Sequence, residues 1–152
     1  MISNLYLKSW IPVIVVMAFI FLMSTGTFSS ENTALFFGPL LRFLVPDISP
    51  QMVDLVHRAI RKSGHVAEYF ILGVALFRAF RGGSRDTRAW HWALCSLLVG
   101  VLYAASDELH QSFVATRMAS PIDVAIDSAG AVLAQIVCVL AYLRGLKQAV
   151  SS

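Results

Sequence analysis

The sequence predicts an all-α fold: a polytopic membrane helical bundle of four transmembrane helices plus an outer interfacial or re-entrant segment, in one domain covering residues 1–152. Three observations lead there. Hydrophobic residues make up 57% of the chain and charged residues 14%, against roughly 45–50% and about 25% in an ordinary soluble domain. The apolar residues gather in long runs. Carboxylates and imidazoles collect where those runs end, at a depth where ionisable groups are costly unless they pair or line a wet cavity.

The first run, Ile11 to Met23 with Trp10 before it, also has features of a secretory signal, with Lys8 upstream and Ser24-Thr25-Gly26 as small residues after it. A retained span is the better reading, because a polytopic membrane protein gains nothing from losing it. The second run, Tyr69 to Phe77, and the fourth, Ser128 to Leu143, fall short of the roughly 20 residues a crossing helix needs. They must extend upstream through His65–Glu68 and Pro121–Asp127, which draws those polar clusters to the membrane boundary. The third, Ala89 to Ala105, ends beside Ser106-Asp107-Glu108. Between Thr25 and Lys62, the stretch Leu35 to Val45 is short and interrupted by Gly38-Pro39 and Arg42, so it reads as interfacial or re-entrant over the outer mouth. Gly82-Gly83-Ser84 marks a turn. Cys95 and Cys138 lie within apolar runs as small fillers, with neither a disulfide framework nor a CxxC metal site.

Lys and Arg beside the spans favour the cytoplasm. With the amino terminus inside, the inner side carries Lys8, Arg78, Arg81, Arg85, Arg88, Arg144 and Lys147, and Trp10, Trp90 and Trp92 form a belt at that interface. Both termini are then cytoplasmic, and the polar clusters face outward, toward the periplasm or its Gram-positive equivalent if the membrane is a bacterial plasma (inner) membrane. The net charge of +3 is spread over loops without interleaved aromatics, so nucleic acid is not an expected partner.

At 100° per residue, Arg58, Arg61, His65 and Glu68 form one helical stripe. Asp107, His110 and Gln111 form another, with Glu108 one step round. Asp123 and Asp127 continue into Gly130, Ala131 and Ala134, small residues that allow close helix approach and so turn this stripe inward. Three uses of this set stay open. The carboxylates could ligate a hard divalent cation, with His65 or His110 suiting a transition metal, although the spacing fits no established metal motif and a cation is not favoured. A histidine beside a carboxylate suits acid–base work. Arg61, Lys62 and Arg117 suit capture of a phosphate or carboxylate. Against all three stands helix stapling by polar pairs, which needs one or two pairs rather than eight ionisable groups at one depth. His57, off the stripe, and His91, between two tryptophans, receive no functional role.

Arg61-Lys62-x-x-His65-x-x-x-Tyr69, then Ser106-Asp107-Glu108-x-His110-Gln111 followed by Arg117, then Asp123-x-x-x-Asp127-x-x-Gly130, resemble the VanZ-like family of small bacterial membrane proteins, named after a protein linked to teicoplanin resistance. The resemblance runs from about Met1 to Leu143. The chain departs from the family at Asp127, where Asn is more usual, and near Ala115, where Pro or Gly is. The resemblance implies a multi-spanning protein of the cell envelope without implying a reaction. Teicoplanin carries a lipid tail and acts at the outer leaflet, in keeping with an outward site that touches lipid or a lipid-linked wall precursor.

The expected function is therefore an outward polar pocket for an anionic lipid or lipid-linked cell-wall substrate, with transfer or hydrolysis on it if the protein is an enzyme. His65, Glu68, Asp107, Glu108, His110 and Asp123 are the expected catalytic residues. Arg61, Lys62, Tyr69, Gln111, Arg117 and Asp127 are expected to bind substrate. A non-catalytic accessory protein that modulates glycopeptide susceptibility, alone or assembled with a second copy or other envelope proteins, is the alternative. A small proton-coupled transporter comes third, because no polar relay descends to the other interface.

Overall fold

The computed structural model describes residues 2–84, 89–114 and 120–151. Among these the chain forms α1 (Ile2–Met23), a 3-10 turn (Gly26–Phe28), α2 (Ser30–Leu44), α3 (Pro50–Arg81), α4 (Ala89–Ser112) and α5 (Pro121–Ser151), with no strand.

Helix boundaries follow from capping chemistry. Ser29 Oγ accepts from Asn32 N, and Ser49 Oγ accepts from Met52 N, each at 3.3 Å, so both helices after the 3-10 turn start on a serine cap. Pro50 follows at the first helical position, where its missing N–H costs nothing. This is why α3 begins far upstream of the apolar run at Tyr69. It ends at Gly82 with φ 54°, a left-handed cap that favours glycine. Pro39 is accommodated inside α2, so the Gly-Pro pair does not interrupt that helix.

Helix α3 is the hub. It packs against α5, α4, α1 and α2, and its buried Tyr69, Leu72, Leu76 and Ala79 meet Val13 and Ile20 of α1 and Ala104 of α4. Its contact with α5 depends on small residues. A Cβ at Gly130 would lie 2.4 Å from the backbone oxygen of Val66, and one at Gly73 would lie 2.7 Å from the Ala134 Cβ. The stripe Asp127, Gly130, Ala131 and Ala134 is buried against the other helices, as its small residues predict. Tyr103 Oη donates to the Met17 carbonyl at 2.7 Å and fastens α4 to α1.

The outer surface carries the apolar residues the interior does not use. Leu94, Leu98 and Leu102 on α4, Ile136, Val137 and Leu140 on α5, and Ile11, Ile14 and Phe19 on α1 are all exposed. Helix α4 and residues 121–148 of α5 are long and apolar enough to cross a membrane, and α1 adds the shorter apolar stretch Leu7–Met23. Only 22% and 28% of the most apolar windows of α4 and α5 are buried, which distinguishes them from the core helices of a soluble protein. Cys95 is exposed and Cys138 half-buried, and both are free thiols.

Candidate functional site

The polar groups of three helices meet where α3, α4 and α5 converge. Asp127 leads, because α5 is drawn tightly against α3 by Gly130 and its side chain, one turn earlier, is only 1% exposed. Its Oδ1 lies 3.2 Å from His65 Nδ1 on α3, whose side chain is 19% exposed. The two atoms are within ion-pair distance, a pairing that is charged only when the imidazole is protonated, and they lack the alignment of a good hydrogen bond. The carboxylate faces one ring nitrogen and leaves Nε2 as the other. Tyr69, one turn deeper, is fully buried and within electrostatic reach of Asp107, Asp127 and Glu68.

From α4 come Asp107, Glu108 and Gln111, all buried. Gln111 Nε2 donates to Asp107 Oδ2 at 2.9 Å and reaches Ser24 Oγ, after α1, at 3.3 Å. Glu108 Oε1 accepts from the Ser120 backbone N–H immediately before α5. Glu108 interacts electrostatically with Asp123, Asp127 and Asp107. Half-buried Arg61, Glu68 and Asp123 form the rim, with Arg61 balanced by both carboxylates.

Four buried oxygens in this cluster have no aligned hydrogen-bond partner: Tyr69 Oη, Asp107 Oδ1, Glu108 Oε2 and Asp127 Oδ1. Burying such groups unsatisfied costs about 1–3 kcal/mol each, so their concentration in one place calls for an explanation beyond packing. Three of the four are carboxylate oxygens, which accept hydrogen bonds from hydroxyl or amine donors when ionised. Among the described residues, no three His, Cys, Asp or Glu side chains converge closely enough to hold a metal ion.

The structure thus brings together His65, Glu68, Tyr69, Arg61, Asp107, Glu108, Gln111, Asp123 and Asp127. His110 turns instead toward α1, its ring 4.8 Å from that of Phe21. Glu108, one position round, takes the inward face because α5 approaches α4 from that side. Lys62 is exposed, and so is Arg58, which pairs with Asp54 on the same helix. Arg117 lies outside the described residues.

Residues 9–142 match the VanZ/LLP1 family. The chain belongs to it. Curated proteins and solved structures gave no match. VanZ/LLP1 membership, together with the apolar helices, makes this a membrane protein of a group linked to glycopeptide resistance.

Several residues of the cluster escaped the motif reading. Tyr103 lies four before Asp107 and eight before Gln111, so an extended stripe would have included it. Its ring centroid is 6.3 Å from that of Tyr69. Ser24 and Ser120 join through chain crossings that no local spacing reveals. Outside the cluster, two turns deeper on the buried face of α5, Gln135 donates from Nε2 to the Gly73 carbonyl at 3.2 Å.

Proposed function

We propose that this VanZ/LLP1 protein binds the headgroup of a phosphate-bearing lipid or lipid-linked cell-wall precursor at the α3–α4–α5 cluster, with His65 and Asp127 supplying acid–base chemistry on it. The observation that carries this reading is the convergence of four unsatisfied buried oxygens with a carboxylate-oriented imidazole. Arg61 at the rim suits a phosphate, and Lys62 and Arg117 follow it in the motif set. The carboxylate oxygens suit hydroxyl or amine donors on the same headgroup. A ligand with both features fits better than a bare anion, which the carboxylates would repel.

In this reading α1, α3, α4 and α5 each cross the bilayer, with both termini cytoplasmic and the cluster facing outward. Helix α3 supports it by length. Its 32 residues extend about 48 Å at 1.5 Å per residue, against an apolar layer of about 30 Å. Its charged first half, with Asp54, Arg58 and Lys62, would project beyond that layer. Helix α2 would then lie along the outer interface, its exposed Leu35, Phe36, Phe43 and Leu44 in contact with lipid.

A second reading has specific support. Glu108 to Ser120 and Gln111 to Asp107 and Ser24 are bonds that tie segments together, as stapling requires. A binder without chemistry, held in shape by those bonds, would use the same rim. Mass spectrometry of lipids that copurify with the protein separates the two. A phospholipid or polyprenyl-phosphate species that is retained and converted supports the enzyme. One retained unchanged supports the binder, and no selective retention in wild type relative to Asp127→Asn contradicts both.

A further inference from the structure

The other end of the bundle has the opposite chemistry. Trp10 meets Phe80 edge-on with ring centroids 5.2 Å apart, so the beginning of α1 lies beside the end of α3. Between these helices runs a groove of about 570 Å³, within the ~300–1,000 Å³ typical of small-molecule sites. Its walls are apolar, with Val16 from α1 and Phe70 and Val74 from α3, and its lining includes Lys8, Arg78 and Arg81 but, among the described residues, no carboxylate. Lys8 and Arg78 are exposed. Arg81 places its guanidinium 5.7 Å from the centre of the Tyr142 ring, and its buried Nε has no hydrogen-bond partner. Three cations beside an apolar slot, with an unsatisfied guanidinium N–H, match an amphiphile that is anionic at one end.

We propose that this groove seats an acyl chain of an anionic phospholipid whose phosphate is held by Lys8, Arg78 and Arg81. Arginine suits phosphate because its planar fork donates two parallel hydrogen bonds, and basic pockets between membrane helices bind acidic headgroups. The occupant is a membrane lipid rather than a soluble anion because the slot is apolar along its length and continuous with the lipid-facing surfaces of α1 and α3, where Ile11, Ile14 and Ile71 are exposed. The apolar wall of the groove begins at Phe70, but its basic end at Arg78 lies about 20 Å from His65 along α3 at 1.5 Å per residue, so the headgroup seat is separate from the acidic cluster. The inference requires α1 and α3 to cross the bilayer but is independent of what the cluster does.

The test uses the full chain in detergent, titrated with phosphatidylglycerol and, separately, with phosphatidylcholine of the same acyl chains, with bound lipid counted by native mass spectrometry. One phosphatidylglycerol should be retained at least tenfold over phosphatidylcholine. Lys8→Gln and Arg78→Gln, at exposed positions that leave the core intact, should each reduce that retention about fivefold. Val74→Trp should abolish it by filling the slot, and Val16→Phe fills it from the opposite wall should the first variant fold poorly. In an Asp127→Asn background, where any lipid held at the acidic cluster is removed, Lys8→Gln and Arg78→Gln should each still reduce retention about fivefold. Equal retention of both lipids, or a preference that survives both charge substitutions, overturns the proposal. So does loss in the charge variants with no effect of either filler, which would mean headgroup attraction without a seat. No further loss from either charge substitution in the Asp127→Asn background also overturns it, by moving the lipid to the acidic cluster.

Discussion

His57 holds a position that motif reading passes over. It is buried on α3, its Nε2 is 3.0 Å from Thr33 Oγ1 of α2, and its ring lies 5.6 Å from that of Phe37. It therefore docks α2 onto the first half of α3. Burial, and then the charge of Arg61, hold the imidazolium below its ordinary pKa, with Asp54 opposing. A lowered folded-state pKa means the unfolded or undocked state binds more protons in the window beneath the ordinary value. Docking is thus fully present above about pH 6.5 and weakens as pH falls below it. Hydrogen exchange of α2 amides should accelerate between neutral and mildly acidic pH in wild type and become pH-independent in His57→Gln, once corrected for intrinsic exchange. Unchanged protection at low pH in wild type would contradict this role. His57 was invisible to stripe counting because its partner is on another helix 24 positions away.

At the scale of helices, the α3–α5 contact is the packing on which the cluster depends. Gly130→Leu must push against the Val66 backbone, which cannot rotate away. The cost should be at least the ~1–3 kcal/mol typical of overpacking, lowering the thermal midpoint in detergent by several degrees. Val137→Leu on the exposed face of α5 should leave it within about a degree. Equal midpoints would mean that the helices are not pressed together at Gly130. Small-residue spacing made this face of α5 legible in the sequence, since Gly130, Ala131 and Ala134 continue the line of Asp123 and Asp127. The membrane character was legible too, from composition and the apolar runs. The start of α3 was not, because Ser49 and Pro50 act as a cap ahead of a charged segment with no apolar run to announce it. Nor was the choice of Glu108 over His110. The stripe sets His110 in line with Asp107 and Glu108 one step round, and only the direction from which α5 arrives decides which of the two faces the cluster.

If α1, α3, α4 and α5 all cross, Ser84 and Ser112 lie on opposite sides of the membrane. In a background lacking Cys95 and Cys138, Ser112→Cys should label with an impermeant maleimide on intact cells, and Ser84→Cys only after permeabilisation. Labelling of both from one side would rule out the four-span arrangement and the outward site with it. That arrangement also separates two chemistries by leaflet, an acidic, donor-seeking cluster at one end and a basic groove at the other.

The central claim is that the α3–α4–α5 cluster is a working site rather than a set of helix staples, and the His65–Asp127 pair tests it most directly. His65→Ala, Asp127→Asn and their combination should be compared for folded abundance in the membrane and for glycopeptide susceptibility on overexpression, which the wild-type chain is expected to alter. A site predicts that each single change removes the effect at least tenfold with abundance within about twofold of wild type. The double change should then be no worse than either alone, because residues acting as one unit are not additive. Staples predict that activity falls in step with folded protein, since a lost partner leaves a polar group unsatisfied at membrane depth. Additive losses that track abundance would contradict the account.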